Sequence, residues 1–290
     1  MNRTVVGGED ATVGLGGLIQ NGGHGQLSSH YGLASDQVYQ VTVITASGQR
    51  LVADDVQNQD IFWAIRGAGG GQYGVVTEFV LRTHPVPANV VAGGLSFCPS
   101  QNSKASEIAS WDALAEVSAR IPDLMDIGFT GTVMGLTEEN AVKYLGLKEV
   151  LPGASAVISL TGFNMTVQRM NDTLNKLAAR FDSDHLKITF QPLSSKSYWS
   201  STKPNPLASA SSGAVSLMTS HLLGRRELSD IPKERLVTYL QDILASQERN
   251  AGSMLLFGLQ GGKGTAHVPE SRQGSVLPAW RSAYAHTMAY

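Results

Sequence analysis

Glycine is spread unevenly along this chain, and its placement constrains the fold more than any other feature. Its 31 copies are concentrated in the first quarter, in GGEDATVGLGGLIQNGGHG and RGAGGGQYG. Such clusters mark backbone that turns through positive φ, or backbone that another group must approach closely. Between them, residues 38–45 read as a strand, Ser47-Gly48 as a turn and 50–53 as a second short strand. Asp60 is placed to cap a short helix, DIFWAIRG, that ends at Gly67. After the second cluster, VVTEFVLR has the β-branched and aromatic content of a strand, and HPVPAN closes the segment with two prolines.

A lobe boundary is expected there, giving a first lobe over 1–88 and a second over 89–290. The second alternates strands with amphipathic helices and repeats no motif, an α+β pattern. Its expected strands are 91–97, 127–134, 156–163, 186–191, 214–223 and 254–260. Met170, Leu174, Leu177 and Phe181 recur at helical spacing, as do Ile108, Trp111, Leu114 and Ala115. A third helix is expected to open at Ser229 or Asp230 with Pro232 in its first turn, burying Leu236, Leu240, Ile243 and Leu244.

Composition removes several function classes. A net charge of -2 and scattered Lys and Arg leave no basic field for a phosphate backbone, so nucleic acid is not an expected partner. No apolar run approaches the roughly 18 residues of a membrane span. Cys98 is the only cysteine, which excludes an intrachain disulfide and a zinc cluster. The opening MNRTVVGGEDATVG is no signal peptide, and localisation stays open. Gly69, Gly71 and Gly74 satisfy G-x-G-x-x-G, but a dinucleotide fingerprint needs a strand before it and a helix after it. Here the expected order is reversed, so a Rossmann site is rejected.

Four blocks, VGLGGLIQNGGHG, SSHYGLASDQV, VTVITASGQ and NQDIFWAIRGAGGGQYGVVTEFVLRTHPVP, stand in one order over roughly residues 5–87. Together they resemble the second half of the PCMH-type FAD-binding domain of the vanillyl-alcohol oxidase superfamily, in its berberine-bridge-like branch. SLMTSHLLGRREL and SVLPAWRSA are similar, more loosely, to that family's substrate lobe, an antiparallel sheet covered by helices. FAD carries two phosphates and a flat apolar ring, so its site needs peptide N–H groups and a close backbone wall. Gly14, Gly16, Gly17, Gly22, Gly23 and Gly25 suit that wall, while several of them are equally explained as turn residues.

The resemblance implies that Val13, Gly14, Leu15, Gly16 and Gly17, with Gly22, Gly23, His24 and Gly25, run along the flavin and its ribityl chain. It places Tyr31, Gly32, Leu33 and Asp36 beneath the cofactor, and Gly74, Val75 and Val76 at the adenine-ribose end. Asp36 reads equally well as a cap or turn residue. Where bicovalent members carry a flavin-linking cysteine this chain has Asp10, so no cysteinyl link is expected. Val13 matches a position governing oxygen's approach, and valine resembles the oxidases.

The family's first FAD lobe, with the histidine that joins the flavin, would stand before residue 1, and its C-terminal return segment beyond Tyr290. The chain is thus expected to be cut at both ends. The implied activity is oxidation of an alcohol-type carbon of a small molecule, hydride passing to flavin N5 and oxygen accepting the electrons. The motifs look nearest to fungal isoamyl-alcohol-oxidase-like members. The alternative is a non-catalytic remnant or interaction module without FAD. No catalytic base is assigned. Loop histidines such as His24 and His30 are more often structural than catalytic. Tyr198 and Trp199 read as a surface-packed aromatic pair, with the lining of a substrate cavity as the alternative, and His221 and His267 carry no signal.

Overall fold

The computed structural model describes residues 2–10, 12–202, 219–245 and 252–290, and these form two compact units. The first comprises the described residues up to 86, residue 202 and 260–283. The second comprises the described residues of 87–201, 214–259 and 284–290. The stretch 260–283, assigned to the second lobe from sequence, folds with the first unit.

The first unit contains β1 (Arg3–Thr4), α1 (Leu15–Gln20), α2 (Ser28–Tyr31), β2 (Val38–Ile44), β3 (Arg50–Asp54), α3 (Gln59–Ile65), β4 (Val75–Leu81), β5 (His84–Pro85) and α10 (Lys263–Ala266). Strands β3, β2 and β4 form an antiparallel sheet in that order, while β1 pairs with β5. Val41, Val43 and Ala53 are buried, and Gly48 supplies the positive φ of the β2–β3 turn. Helix α3 begins one residue before Asp60, with Asn58 at the N-cap in the left-handed region (φ 49°). Asp60 therefore stands in the first turn, where its charge opposes the positive end of the helix, and is not the cap. Helix α3 precedes the GAGGGQYG loop and β4 follows it, the reverse of the dinucleotide-binding order.

His84 is a buried joint in this unit. Its ring stacks on Tyr31 at 3.8 Å and its Nε2 pairs with Gln37 Oε1 at 2.9 Å. Burial, reinforced by Arg82 and Arg3, holds its pKa below the ordinary imidazole value. A histidine that folding makes harder to protonate leaves the unfolded chain as the better proton acceptor. Its contribution to stability is complete above about pH 6.5 and falls as pH drops from there toward the lower folded value. The melting temperature of His84→Asn should therefore vary less between about pH 6.5 and 5 than that of the parent. Equal slopes would show that His84 titrates alike in both states.

The second unit is built on β6 (Val90–Pro99), β7 (Phe129–Leu136), β8 (Ser155–Phe163), β9 (Leu186–Lys196), β10 (Thr219–Gly224), β11 (Met254–Leu259) and β12 (Ala283–Ala289). These make a seven-stranded sheet ordered β10-β12-β11-β7-β8-β6-β9, with antiparallel pairing through β12 to β9. Helices α4 (Lys104–Asp126), α6 (Val167–Ala178) and α9 (Lys233–Ala245) share one apolar core with it. Smaller helices α5 (Glu138–Leu145), α7 (Tyr198–Ser201) and α8 (Arg225–Leu228) complete the unit. The fold is the expected α+β mixture.

Met170, Leu174, Leu177 and Phe181 are all buried, as their spacing predicts. Ile108 and Ile243, assigned to buried stripes, are instead exposed, at 53% and 39%. Ser229 and Asp230 do not open α9, because both amides donate to Arg225 O and close α8. Of the expected strand 214–223, residues 214–218 lie outside the described residues. Cys98 is buried, and that burial raises its thiol pKa. Among the described residues no three His, Cys, Asp or Glu side chains could hold a metal ion, and no helix is long and apolar enough to cross a membrane.

Candidate functional site

The glycines of the amino-terminal stretch divide by what surrounds them. Gly22 (φ 91°), Gly23 (φ 72°) and Gly32 (φ 95°) occupy backbone that disfavours side chains. A Cβ on Gly23 would meet Ala34 and Leu18 within 3 Å, and one on Gly25 would strike the Gly7 carbonyl. Gly74 (φ 135°) lies against Ile44 O, where a side chain would spoil the pairing of β4 with β2. The protein's own packing explains all five.

Gly14, Gly16 and Gly17 are different. None has positive φ, and a Cβ on any of them would meet no atom of the described residues within 4 Å. Gly14 is the N-cap of α1, and Gly16 and Gly17 lie in its first turn. A helical glycine costs about 1 kcal/mol relative to alanine, yet no described residue packs closely enough to require it here. Asn21 Nδ2 donates to Gly17 O at 2.8 Å and Gln20 Nε2 to Gly16 O at 2.9 Å, bracing this bare helix. Val13 and Leu15 beside it are 51% and 47% exposed.

A cleft of about 550 Å³ opens on this stretch within the first unit. It brings together Val13, Gly17, Gly23 and His24 from the sequence-predicted set, with Asp10, Glu9, Asn21 and Gln260. The Asp10 carboxylate accepts bonds from the backbone and hydroxyl of Thr12 at 2.8 and 2.6 Å, which fixes the entry to α1. The His24 ring lies 5.7 Å from Trp280. Crowding by surrounding protein raises the Glu9 pKa, and a hydrogen bond from Gln26 partly offsets this, although the residue keeps an open face to solvent. Glu9, Asn21 and Gln260 carried no sequence signal, and Gln260 reaches the cleft only because 260–283 folds with this unit.

Gly14, Leu15 and Gly16, at the start of α1, are not among the residues lining this cleft, and the other expected residues are occupied elsewhere. Asp36 forms a bidentate pair with Arg281, both bonds 2.9 Å, and accepts the Leu33 N–H at 2.9 Å. Its carboxylate is committed inside the protein, to the Arg281 guanidinium and the Leu33 amide. Leu33 is fully buried, Tyr31 is stacked on His84, and Gly32 packs on Val268 and Gly264 O. Val75 and Val76 pair with Ile44 and Val43 of β2, and neither they nor Gly74 line the cleft. His30 bonds Ser29. Tyr198 is buried edge-on to Trp199 at 5.3 Å, the packed pair expected.

Comparison with known proteins bears on the same stretch. The FAD binding domain family profile matches residues 4–54, which contain α1 and the glycine wall. An uncharacterized FAD-linked oxidoreductase of Arthroderma benhamiae is 31% identical over 98% of this chain and 46% of its own length. The VAO-type flavoprotein oxidase VAO615 of Thermothelomyces thermophilus is 40% identical over 43% of this chain and 21% of its own. Among solved structures, the VAO-type flavoprotein MtVAO713 of Myceliophthora thermophila superposes on 99% of this chain with a TM-score of 0.83 at 23% identity, the overlap covering 49% of that chain. The chain spans less than half the length of these relatives. Profile, relatives and fold agree in likening this chain to about half of a PCMH-type FAD-linked oxidoreductase of the vanillyl-alcohol oxidase superfamily.

Proposed function

We propose that this chain supplies one wall of the flavin site of an FAD-dependent oxidase acting on an alcohol-type carbon of a small molecule. The observation that carries the reading is the trio Gly14, Gly16 and Gly17, whose missing side chains leave open a space that no atom of the described residues fills. Residues fit the cofactor in kind: bare main chain for a flat ring, with apolar Val13 and Leu15 alongside. Val13 to Gly17, with Gly23 and His24 in the cleft wall, are the residues proposed to hold it. Asp10 provides no thiol there, so this chain makes no cysteinyl bond to the flavin.

Bound FAD would supply a hydride acceptor at N5 whose electrons pass to molecular oxygen. The chain's own contribution is to exclude water along α1 and to present polar groups, His24 and Gln260, at the cleft wall for orienting a substrate hydroxyl. The relative named as a flavoprotein oxidase supports oxygen as acceptor, as does valine at position 13. The test is direct. The purified 290-residue chain, titrated with FAD, is expected to retain flavin absorbing near ~450 nm after gel filtration and to release peroxide on an alcohol panel. A protein that stays colourless with excess FAD supports the non-catalytic alternative.

A further inference from the structure

Asn21-Gly22 is the one Asn-Gly pair in the chain. Where glycine follows asparagine, no side chain keeps the glycine nitrogen from the asparagine side-chain carbonyl carbon, and the pair can close on itself. The Gly22 nitrogen bonds to Cγ of Asn21, its proton leaves with the departing side-chain nitrogen as ammonia, and a cyclic imide remains. Water then opens that ring to aspartate or isoaspartate. The only co-reactant is water, and no electrons change hands.

The fold holds this pair shut. Asn21 is the C-cap of α1, its Nδ2 donates to Gly17 O at 2.8 Å, and the Gly22 N–H donates to Ile19 O at 3.0 Å. Ring closure needs both bonds released, so the end of α1 must open first. That opening costs little, because α1 is 6 residues long, has no side-chain bond at its Gly14 cap and carries Gly16 and Gly17 inside it. Short helices bearing glycine have little stability of their own, and chemistry at such a site follows the local opening. Asn21 also lines the cleft beside Glu9 and Asp10. Conversion sets a third carboxylate among them, where the Gly17 carbonyl loses the donor that braces it.

We propose that Asn21 is a self-modification site gated by the opening of α1, and that its conversion to aspartate weakens the flavin wall. The second part rests on the FAD site proposed above; the first does not. The purified chain, incubated at neutral pH and sampled over time, is read by peptide mass spectrometry for the amide-to-acid change at Asn21 and for isoaspartate. Product should accumulate in the folded chain, more slowly than in urea. Gly16→Ala with Gly17→Ala should slow it at least about tenfold, because each alanine favours the closed helix, and should leave the rate in urea unchanged. An Asn21 that stays intact while the chain in urea converts overturns the site, and equal folded-state rates for parent and double variant overturn the gate. Asn21→Asp, shown to be folded by circular dichroism, should bind FAD at least about threefold more weakly than the parent. Equal affinity overturns the effect on the wall alone. A parent that binds no FAD overturns that effect together with the proposed flavin site, while the chemistry at Asn21 is judged by mass.

Discussion

Asp36→Ala should unfold the first unit at markedly lower denaturant than the parent chain, with a loss of about 3–5 kcal/mol. The Asp36 side chain is 1% exposed and that of Arg281 14%, so water cannot replace the lost partner. Removing the carboxylate leaves the guanidinium with the Thr265 carbonyl at 3.2 Å and strips the Leu33 N–H of its acceptor. A buried charge without its partner costs far more than the intact pair contributes, because desolvation is no longer offset. The double variant Asp36→Leu/Arg281→Met removes both charges and should therefore be more stable than either single. Hydrogen exchange resolved to peptides 28–37 and 262–283 provides the readout, since faster exchange should appear in both together. Unchanged protection in either peptide would show that the pair does not clamp them.

Gly16→Ala combined with Gly17→Ala should separate stability from binding. Alanine is favoured over glycine in a helix by about 1 kcal/mol per site, and both methyls point into open space. The apo protein should melt higher. If that space belongs to the flavin, the same methyls overpack it at a cost of about 1–3 kcal/mol, which is roughly a 5- to 150-fold loss of FAD affinity. Gly23→Ala or Gly25→Ala should behave in the opposite way, lowering stability through clashes with Leu18 and Gly7. A double variant that binds FAD as well as the parent would remove the ligand from the argument for α1.

Much of the fold was legible because the signals are local. Strands β6, β7, β8 and β11 fall within two residues of their expected limits, and the Met170–Phe181 stripe is buried. Each depends on a repeating apolar pattern that neighbouring residues satisfy together. The site was less legible, because glycine is one letter with two uses. Gly17 and Gly23 look alike in sequence, and only the φ angle and the atoms around the missing Cβ tell them apart. Asp36 shows the second limit. Its partner Arg281 lies in PAWR, far along the chain, where no local pattern links the two. Gln260 joins the cleft by the same long return and was invisible for the same reason.

That return also affects how the protein is made. Nascent chains usually complete their amino-terminal domain first, while later residues are still being translated. Here the unit that begins the chain also needs residues 260–283, so its clamp closes only after the other unit's helices have left the ribosome. During that interval Asp36 waits without its guanidinium, and a chaperone that shields the half-finished sheet should raise the yield of native protein.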